Sequence, residues 1–207
     1  MLQQTFIHLP GVGEVNEQRL WRAGVRSWQD FVAGHEAGKF RGRRIERAIA
    51  QVQESIVRYA QSEWSFFDGV IPSPHKWRAF ADLGDRALYV DIETTGMGGA
   101  DDITVIGLYD GREVRSYVAG INLEEAVAQI ESHPLVVTFN GAQFDMPVIR
   151  RHFGRASFNH VHVDLRFPLR RLGYQGGLKK IEDMFGIQRS SRTRGLDGWD
   201  AVRLWHE

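Results

Sequence analysis

The 207-residue chain contains no cysteine, so disulfides and thiolate metal sites are excluded. That absence goes with a reducing, cytoplasmic setting. No stretch approaches the ~18 consecutive apolar residues of a membrane span, and no membrane partner is expected. The start, MLQQTFIHLP, lacks the basic region and apolar run of a secretory signal. Internal repeats and low-complexity tracts are also missing. Proline is sparse, at 6 residues, and two of them, Pro72 and Pro74, fall together in GVIPSPHKW, which reads as a connection between domains. What remains is an ordinary globular composition, 43% hydrophobic and 25% charged, long enough for one full domain and a small appendage.

Net charge is zero, but the signs are segregated. Residues 1–60 carry 9 Lys/Arg against 6 Asp/Glu, residues 61–145 carry 5 against 14, and residues 146–207 carry 12 against 6. An acidic middle between basic flanks suits carboxylates that hold cations beside Lys/Arg that hold phosphates, although chance surface variation produces the same picture.

Hydrophobic spacing gives the elements. Pro10, Gly11 and Gly13 make a tight turn ahead of a helix over 14–22, ended by Gly24, with a second short helix over 28–32. Ile45, Ile49, Val52 and Ile56 mark one face of a longer amphipathic helix. Leu88, Tyr89, Val90 and Ile92 then predict a buried central strand. DITVIGLYDG and REVRSYVAG, joined at Asp110-Gly111, predict a hairpin. NLEEAVAQIESHP reads as a helix capped by Asn122 and stopped before Pro134. LVVTFN and HVHVDL are further strands with a helix from Asp145 between them, and GLKKIEDMFGI and DGWDAVRLWHE close the chain as helices. The order β-β-β-α-β-α-β-α predicts an α/β fold, a mixed five-stranded sheet flanked by helices.

The chemistry concentrates in DIETTG. Strand side chains alternate, so Asp91 and Glu93 share one face while Val90 and Ile92 point the other way. Adjacent carboxylates on a buried strand repel each other and are costly to desolvate unless a hard cation such as Mg²⁺ or Mn²⁺ neutralises them. The bland alternative is a solvated strand end. Asp145 follows a strand and the Gly141 turn, where it can face the first pair or simply cap its helix.

D-x-E-T-T-G followed by N-x-x-x-F-D resembles the first two exonuclease motifs of the DEDD superfamily, and the spacing and VDL strand are similar to the proofreading domain of family-B DNA polymerases. LVVTFNGAQFDMPVIRR, VDLRFPLRRL, GGLKKIEDMFGI and GLDGWDAVRLW together resemble bacterial YprB-type RNase H-like exonuclease domains, over roughly residues 87–207. The resemblance implies an RNase H-like domain over 76–207 and a 3′→5′ exonuclease that acts on single-stranded nucleic-acid ends with two Mg²⁺ or Mn²⁺. Asp91 would bridge both ions, Glu93 would hold the one on the nucleophile side, and Asp145 the outer one. Such cations, about 4 Å apart, activate a water and stabilise the leaving oxygen. Thr94, Thr95 and Gly96 would let the backbone approach the terminal nucleotide. Asn140 and Phe144 would position or stack on the strand, with Phe144 equally readable as core. Asp164 would support the ligands or face solvent.

The family's last carboxylate comes from a Tyr-Asn-x-x-Asp motif after GLDGWDAVRLW. The chain ends at Glu207 before that motif, so either the domain is truncated at its C-terminus, the reading favoured, or Asp197 or Asp200 substitutes for the missing ligand. His160, His162 and Tyr174 are bases only in a loose sense. Residues 1–75 form a helical module in which Leu9-Pro10-Gly11-Val12-Gly13 resembles a helix-hairpin-helix. There, Gly11 and Gly13 would offer backbone N–H groups to a phosphate, with Lys39, Arg41, Arg43, Arg44 and Arg47 as a basic stripe. Glu14 departs from that pattern, since an acid in the first turn repels phosphate. The stripe also reads as a solvated face, and the module as plain helical packing. Two other functions remain: a non-catalytic nucleic-acid-binding module with a degenerate site, or an interaction domain that keeps only the fold.

Overall fold

ALYVDIET forms the middle strand of a sheet. The computed structural model of the protein describes residues 1–39, 41–96, 103–154 and 158–188. In it, β1 (Ala87–Thr94) pairs antiparallel with β2 (Ile103–Tyr109), which pairs antiparallel with β3 (Val114–Val118). On its other side β1 pairs parallel with β4 (Leu135–Thr138), and β4 with β5 (Val161–Asp164). The order β3-β2-β1-β4-β5 is the mixed five-stranded sheet expected. Asp110 closes the hairpin, its Oδ1 accepting the backbone N–H groups of Arg112 and Glu113, both at 2.9 Å.

Parallel neighbours need crossovers. α6 (Glu125–Ser132) leads into β4, and α7 (Asp145–His152) joins β4 to β5. All four residues of β4 and of β5 are buried, as strands covered on both faces should be. Parity in β1 splits the core. Leu88, Val90 and Ile92 pack with Ile106, Ile130 and Ile149 on the α6–α7 side. Ala87 packs with Leu135, Val137, Val161 and Val163 on the other, and Tyr89 lies against that second cluster. β1 outruns β4, since only Ala87, Leu88 and Tyr89 have partners there.

The second cluster is completed by the first 83 residues of the chain. α1 (Glu14–Arg22), α2 (Trp28–Glu36), α3 (Arg43–Ala60), α4 (Trp64–Val70) and α5 (Phe80–Leu83) supply its cover, and Gly24, at φ +84, ends α1 as expected. α2 carries a capping box: the Asp30 N–H donates to Ser27 Oγ at 3.1 Å, and the Ser27 N–H to Asp30 Oδ2 at 2.8 Å. Trp28 stacks on Phe67 at 5.8 Å, and both are buried with Phe6 and Phe31. Side chains of this size contribute about 1.5–3 kcal/mol each on burial. The cluster therefore runs across the boundary expected near residue 75.

One buried ion pair ties three segments together. Glu17, 1% exposed, accepts the backbone N–H groups of Phe6 (2.7 Å) and Ile7 (3.1 Å). It also takes both ends of the Arg78 guanidinium, at 2.7 and 2.8 Å. Arg78 stands 5.6 Å over the Trp21 ring.

Several local expectations change. Asn122 does not cap α6; its side chain accepts the Val118 N–H at 2.8 Å, and the helix begins at Glu125. The proline-marked connection is itself structured, a 3₁₀ helix over Ser73–Ala79 that buries His75, Arg78 and Ala79. A further helix, α8 (Arg166–Arg171), follows β5 and tolerates Pro168 because it falls in the first turn. α9 (Leu178–Met184) forms within GLKKIEDMFGI. The helix expected in DGWDAVRLWHE lies outside the described residues. No described helix is long and apolar enough to cross a membrane.

Candidate active site

β1 delivers Asp91 and Glu93 to one face by parity alone. Asp91 is exposed and Glu93 half-buried, while Ile92 and Thr94 turn into the opposite side. The register with β2 shifts between Glu93 and Thr94, a bulge at the end of the acidic pair.

Asp145 comes from the turn after β4, and this turn is pinned. Asn140 adopts φ +66, an unusual conformation for a residue with a Cβ. Asp164, at the end of β5, holds it: Oδ1 accepts the N–H groups of Asn140 (2.8 Å) and Arg166 (3.0 Å), and Oδ2 that of Ala142 (3.1 Å). Thr138 Oγ1 accepts the Gly141 N–H at 3.2 Å and lies 2.8 Å from His162 Nε2. A Cβ on Gly141 would sit 2.4 Å from that oxygen, so only glycine fits. The chain then enters α7 with Asp145 as its first residue, 5% exposed.

Burial pushes the Asp145 carboxyl up to about 6, and the Asp91 charge pushes it further the same way; backbone N–H groups at Asp145 and Ile92 oppose this, and Asp164 adds a little to the rise. Burial also raises Glu93, again with Asp91 as the second cause. Asp91 is thus the acid that both others feel. Among the described residues, no group of three or more His, Asp or Glu is gathered closely enough to hold a metal ion. The acids are related as two pairs that share Asp91.

Asp91 opens into a cleft of about 670 Å³, bordered by Asn140, Arg166, Arg170 and Tyr174. Arg166 Nη1 donates to the Asn140 side-chain oxygen and, at 3.4 Å, to that of Gln143. Arg170 lies four residues on. This pair was not singled out from the sequence. The signal for it was the i, i+4 arginine spacing in VDLRFPLRRL, which puts both on one helix face.

The other residues singled out are accounted for as follows. Thr94 is buried and its Oγ1 accepts the Gly96 N–H at 3.4 Å; Thr95 is half-buried; Gly96 is exposed at φ +68. Phe144 is 39% exposed, so the core alternative fails. Asp197 and Asp200 lie outside the described residues. His160 and His162 are buried and driven down by that burial to about 3 and about 4, so they are neutral fixtures of the fold near neutral pH.

In the first third, Gly11 takes φ +77 and Gly13 precedes α1 as its N-cap. A Cβ on Gly11 would meet Arg44 Cδ at 2.9 Å, and one on Gly38 would meet Arg41 Nη2 at 2.7 Å. Arg43 and Arg44 open α3, at the end of a helix that favours anions over cations. Arg19, Arg44 and the Gly11 turn border a cleft of about 370 Å³. Glu14, the misfit of the hairpin pattern, pairs with Arg171 at 2.7 Å and lies 3.2 Å from His75 Nε2.

The family model of the RNase_H superfamily matches residues 88–207. Among solved structures, the chain is similar to the family B DNA polymerase from the hyperthermophilic archaeon Pyrobaculum calidifontis, at 14% identity and TM-score 0.48, over 58% of this chain and 21% of that one. It is similar to Escherichia coli RNase D, an exoribonuclease involved in structured RNA processing, at 18% identity and TM-score 0.44, over 59% of this chain and 34% of that one. It is also similar to the Aedes aegypti Nibbler EXO domain, at 12% identity and TM-score 0.42, over 59% of this chain and 70% of that one. The chain thus spans well under two thirds of the first two. No curated protein matches it by sequence.

Proposed function

The chain belongs to the RNase H superfamily, and from that premise we propose that it is a 3′→5′ exonuclease for single-stranded nucleic-acid ends, with Asp91, Glu93 and Asp145 as its metal-holding carboxylates. The observation that carries this reading is the shared electrostatic neighbourhood. Burial raises the carboxyls of Glu93, on the strand face of Asp91, and of Asp145, from a separate turn, and the Asp91 charge adds to both rises. Acids brought together at such a cost, with only carboxylate oxygens as donors, fit Mg²⁺ or Mn²⁺. A pairwise rather than three-way arrangement suits Mg²⁺, which takes one or two carboxylates and completes its shell with water and substrate phosphate. Bound there, the cations supply an activated water and neutralise charge on the phosphate.

The chain's own residues do the rest. Arg166 and Arg170 hold backbone phosphates beside Asp91. Phe144 stacks on the terminal base, and Asn140, braced by Arg166, orients the strand. Thr95 and Gly96 keep the backbone close to the terminal sugar, and Thr94 anchors that turn. Asp164 acts through the turn it holds, fixing where Asp145 points. In the first 75 residues, the Gly11–Gly13 turn with Arg41, Arg43 and Arg44 contacts backbone phosphates as a helix-hairpin-helix does. A cytoplasmic location goes with the cysteine-free chain.

The test is release of mononucleotides from a 5′-labelled single strand. It should need Mg²⁺ or Mn²⁺, stop with chelator and be lost in Asp91→Ala. The second reading, a binding module without turnover, draws on the absence of a three-acid cluster among the described residues and on the arginines around Gly11. Salt-sensitive binding to the same strand with no metal-dependent release would establish it in place of the first.

A further inference from the structure

α1 has an arginine-bordered cleft on each flank. One holds the Gly11 turn with Arg19 and Arg44. The other, about 480 Å³, is bordered by Gln4, Gln18, Trp21, Arg22, Arg26 and Arg78, and no role described so far uses it.

Arg78 is 6% exposed, its two terminal nitrogens fork onto Glu17, and its Nε–H is buried with no hydrogen-bond partner. The guanidinium is held against the Trp21 ring at 5.6 Å, and Trp21 Nε1–H donates to the Gln4 carbonyl at 3.0 Å, which fixes the indole. Arg22 and Arg26 are exposed, and neither side chain has an ion-pair partner among the described residues. The acid closest to Arg26 in sequence, Asp30, turns Oδ2 to the backbone N–H groups of Arg26 and Ser27. Glu17 balances Arg78, so the cleft keeps the charge of two arginines. Guanidinium groups bordering a concave surface match the oxygens of a phosphate, and Gln4 and Gln18 border the same cleft.

The geometry points to a phosphate-ester site on this flank of α1, held by Arg22 and Arg26 and backed by the Arg78–Trp21 pair. Its ligand is a phosphate of a nucleic-acid backbone or of a free mononucleotide. This inference does not depend on the acidic cleft being catalytic, because it uses none of its residues.

The full 207-residue chain, labelled with ¹⁵N and kept in chelator, provides the test. The Trp21 indole N–H resonance is assigned by its loss in Trp21→Phe. It is then followed during titration with a single-stranded oligonucleotide, with AMP and with inorganic phosphate. A saturable shift is expected. The Arg22→Gln/Arg26→Gln variant should weaken it about tenfold or more and lower the salt slope of binding by about one per arginine. A shift with the oligonucleotide alone assigns the backbone as ligand, and an equal shift with AMP assigns the free phosphate; both uphold the site. A Trp21 resonance unmoved by all three ligands overturns it, as does a shift unchanged in the double variant. Asp91→Ala should keep the Trp21 response while losing hydrolysis, so failure of this site and failure of the exonuclease reading are seen separately.

Discussion

Glu17, in the helical first third, and Asp145, at the start of α7, are buried to nearly the same extent, 1% and 5% exposed. Their surroundings differ. Glu17 meets two backbone N–H groups and a forked arginine, which together answer both carboxylate oxygens. Asp145 also meets backbone N–H groups, at Asp145 and Ile92, but burial, and after it the charge of Asp91, outweigh them and push its carboxyl up to about 6. Asp164, equally buried, belongs with Glu17, since three backbone N–H groups surround it. Burial alone therefore does not mark a working acid. An acid answered by donors holds chain segments in place, whereas an acid buried near another acid is, under the proposed function, one that a cation would neutralise.

The comparison breaks most visibly at Glu17. Glu17→Gln leaves the Arg78 charge buried without its counter-ion, and such losses run to about 3–5 kcal/mol. Urea unfolding should show it as a lower midpoint with little change in slope. Adding Arg78→Met should recover much of the loss. A single variant within about 1 kcal/mol of the parent would mean that the pair does not hold these segments together. Asp164→Ala comes next. It strands N–H groups of the turn, at about 1–3 kcal/mol. The loss should be local as well as global, with faster amide exchange at Asn140 and Ala142. Hydrolysis should fall because Asp145 loses its placement. Unchanged exchange at both amides would remove Asp164 from the support of the site.

Much of this was legible in the sequence because it is local. The parity of ALYVDIET put Asp91 and Glu93 on one face and Leu88, Val90 and Ile92 on the other, as observed. Gly24 and the Asp110-Gly111 turn also acted where expected, because each depends on its own few residues. What escaped was long-range or conditional. Glu17 and Arg78 are 61 positions apart, and nothing in either local pattern names the other. Asn122 has the chemistry of a helix cap, but its side chain accepts the Val118 N–H at the end of β3 instead. The 3₁₀ helix over Ser73–Ala79 was hidden by its prolines, which suit a connection equally well. Asp164 read equally as a support for the ligands or as a solvent-facing strand-end acid, because its three donors belong to a turn that only the fold brings to it. The fourth carboxylate is a different case, since Asp197 and Asp200 fall outside the described residues.

The smallest effect sharpens the comparison most, because its sign is opposite to the others. Asp145 has a folded value of about 6 against an ordinary 3.8, so the folded chain binds the extra proton between those two pH values. Its charge therefore costs nothing below about pH 3.8. The cost grows through that window and is full above about pH 6. The rise corresponds to no more than about 3 kcal/mol, and solvent screening brings it nearer 1 kcal/mol. Asp145→Asn should thus be more stable than the parent at pH 8 in chelator, by about 1 kcal/mol, and no more stable at pH 3.5. Mg²⁺ should invert the ranking at pH 8, since a cation that binds only the folded parent stabilises it and leaves the variant unmoved. Thermal unfolding of both proteins, with and without Mg²⁺ at the two pH values, reads all of this. If Asp145→Asn were less stable at pH 8 in chelator, Asp145 would be an answered acid like Glu17, and the charge it shares with Asp91 would no longer support a metal site.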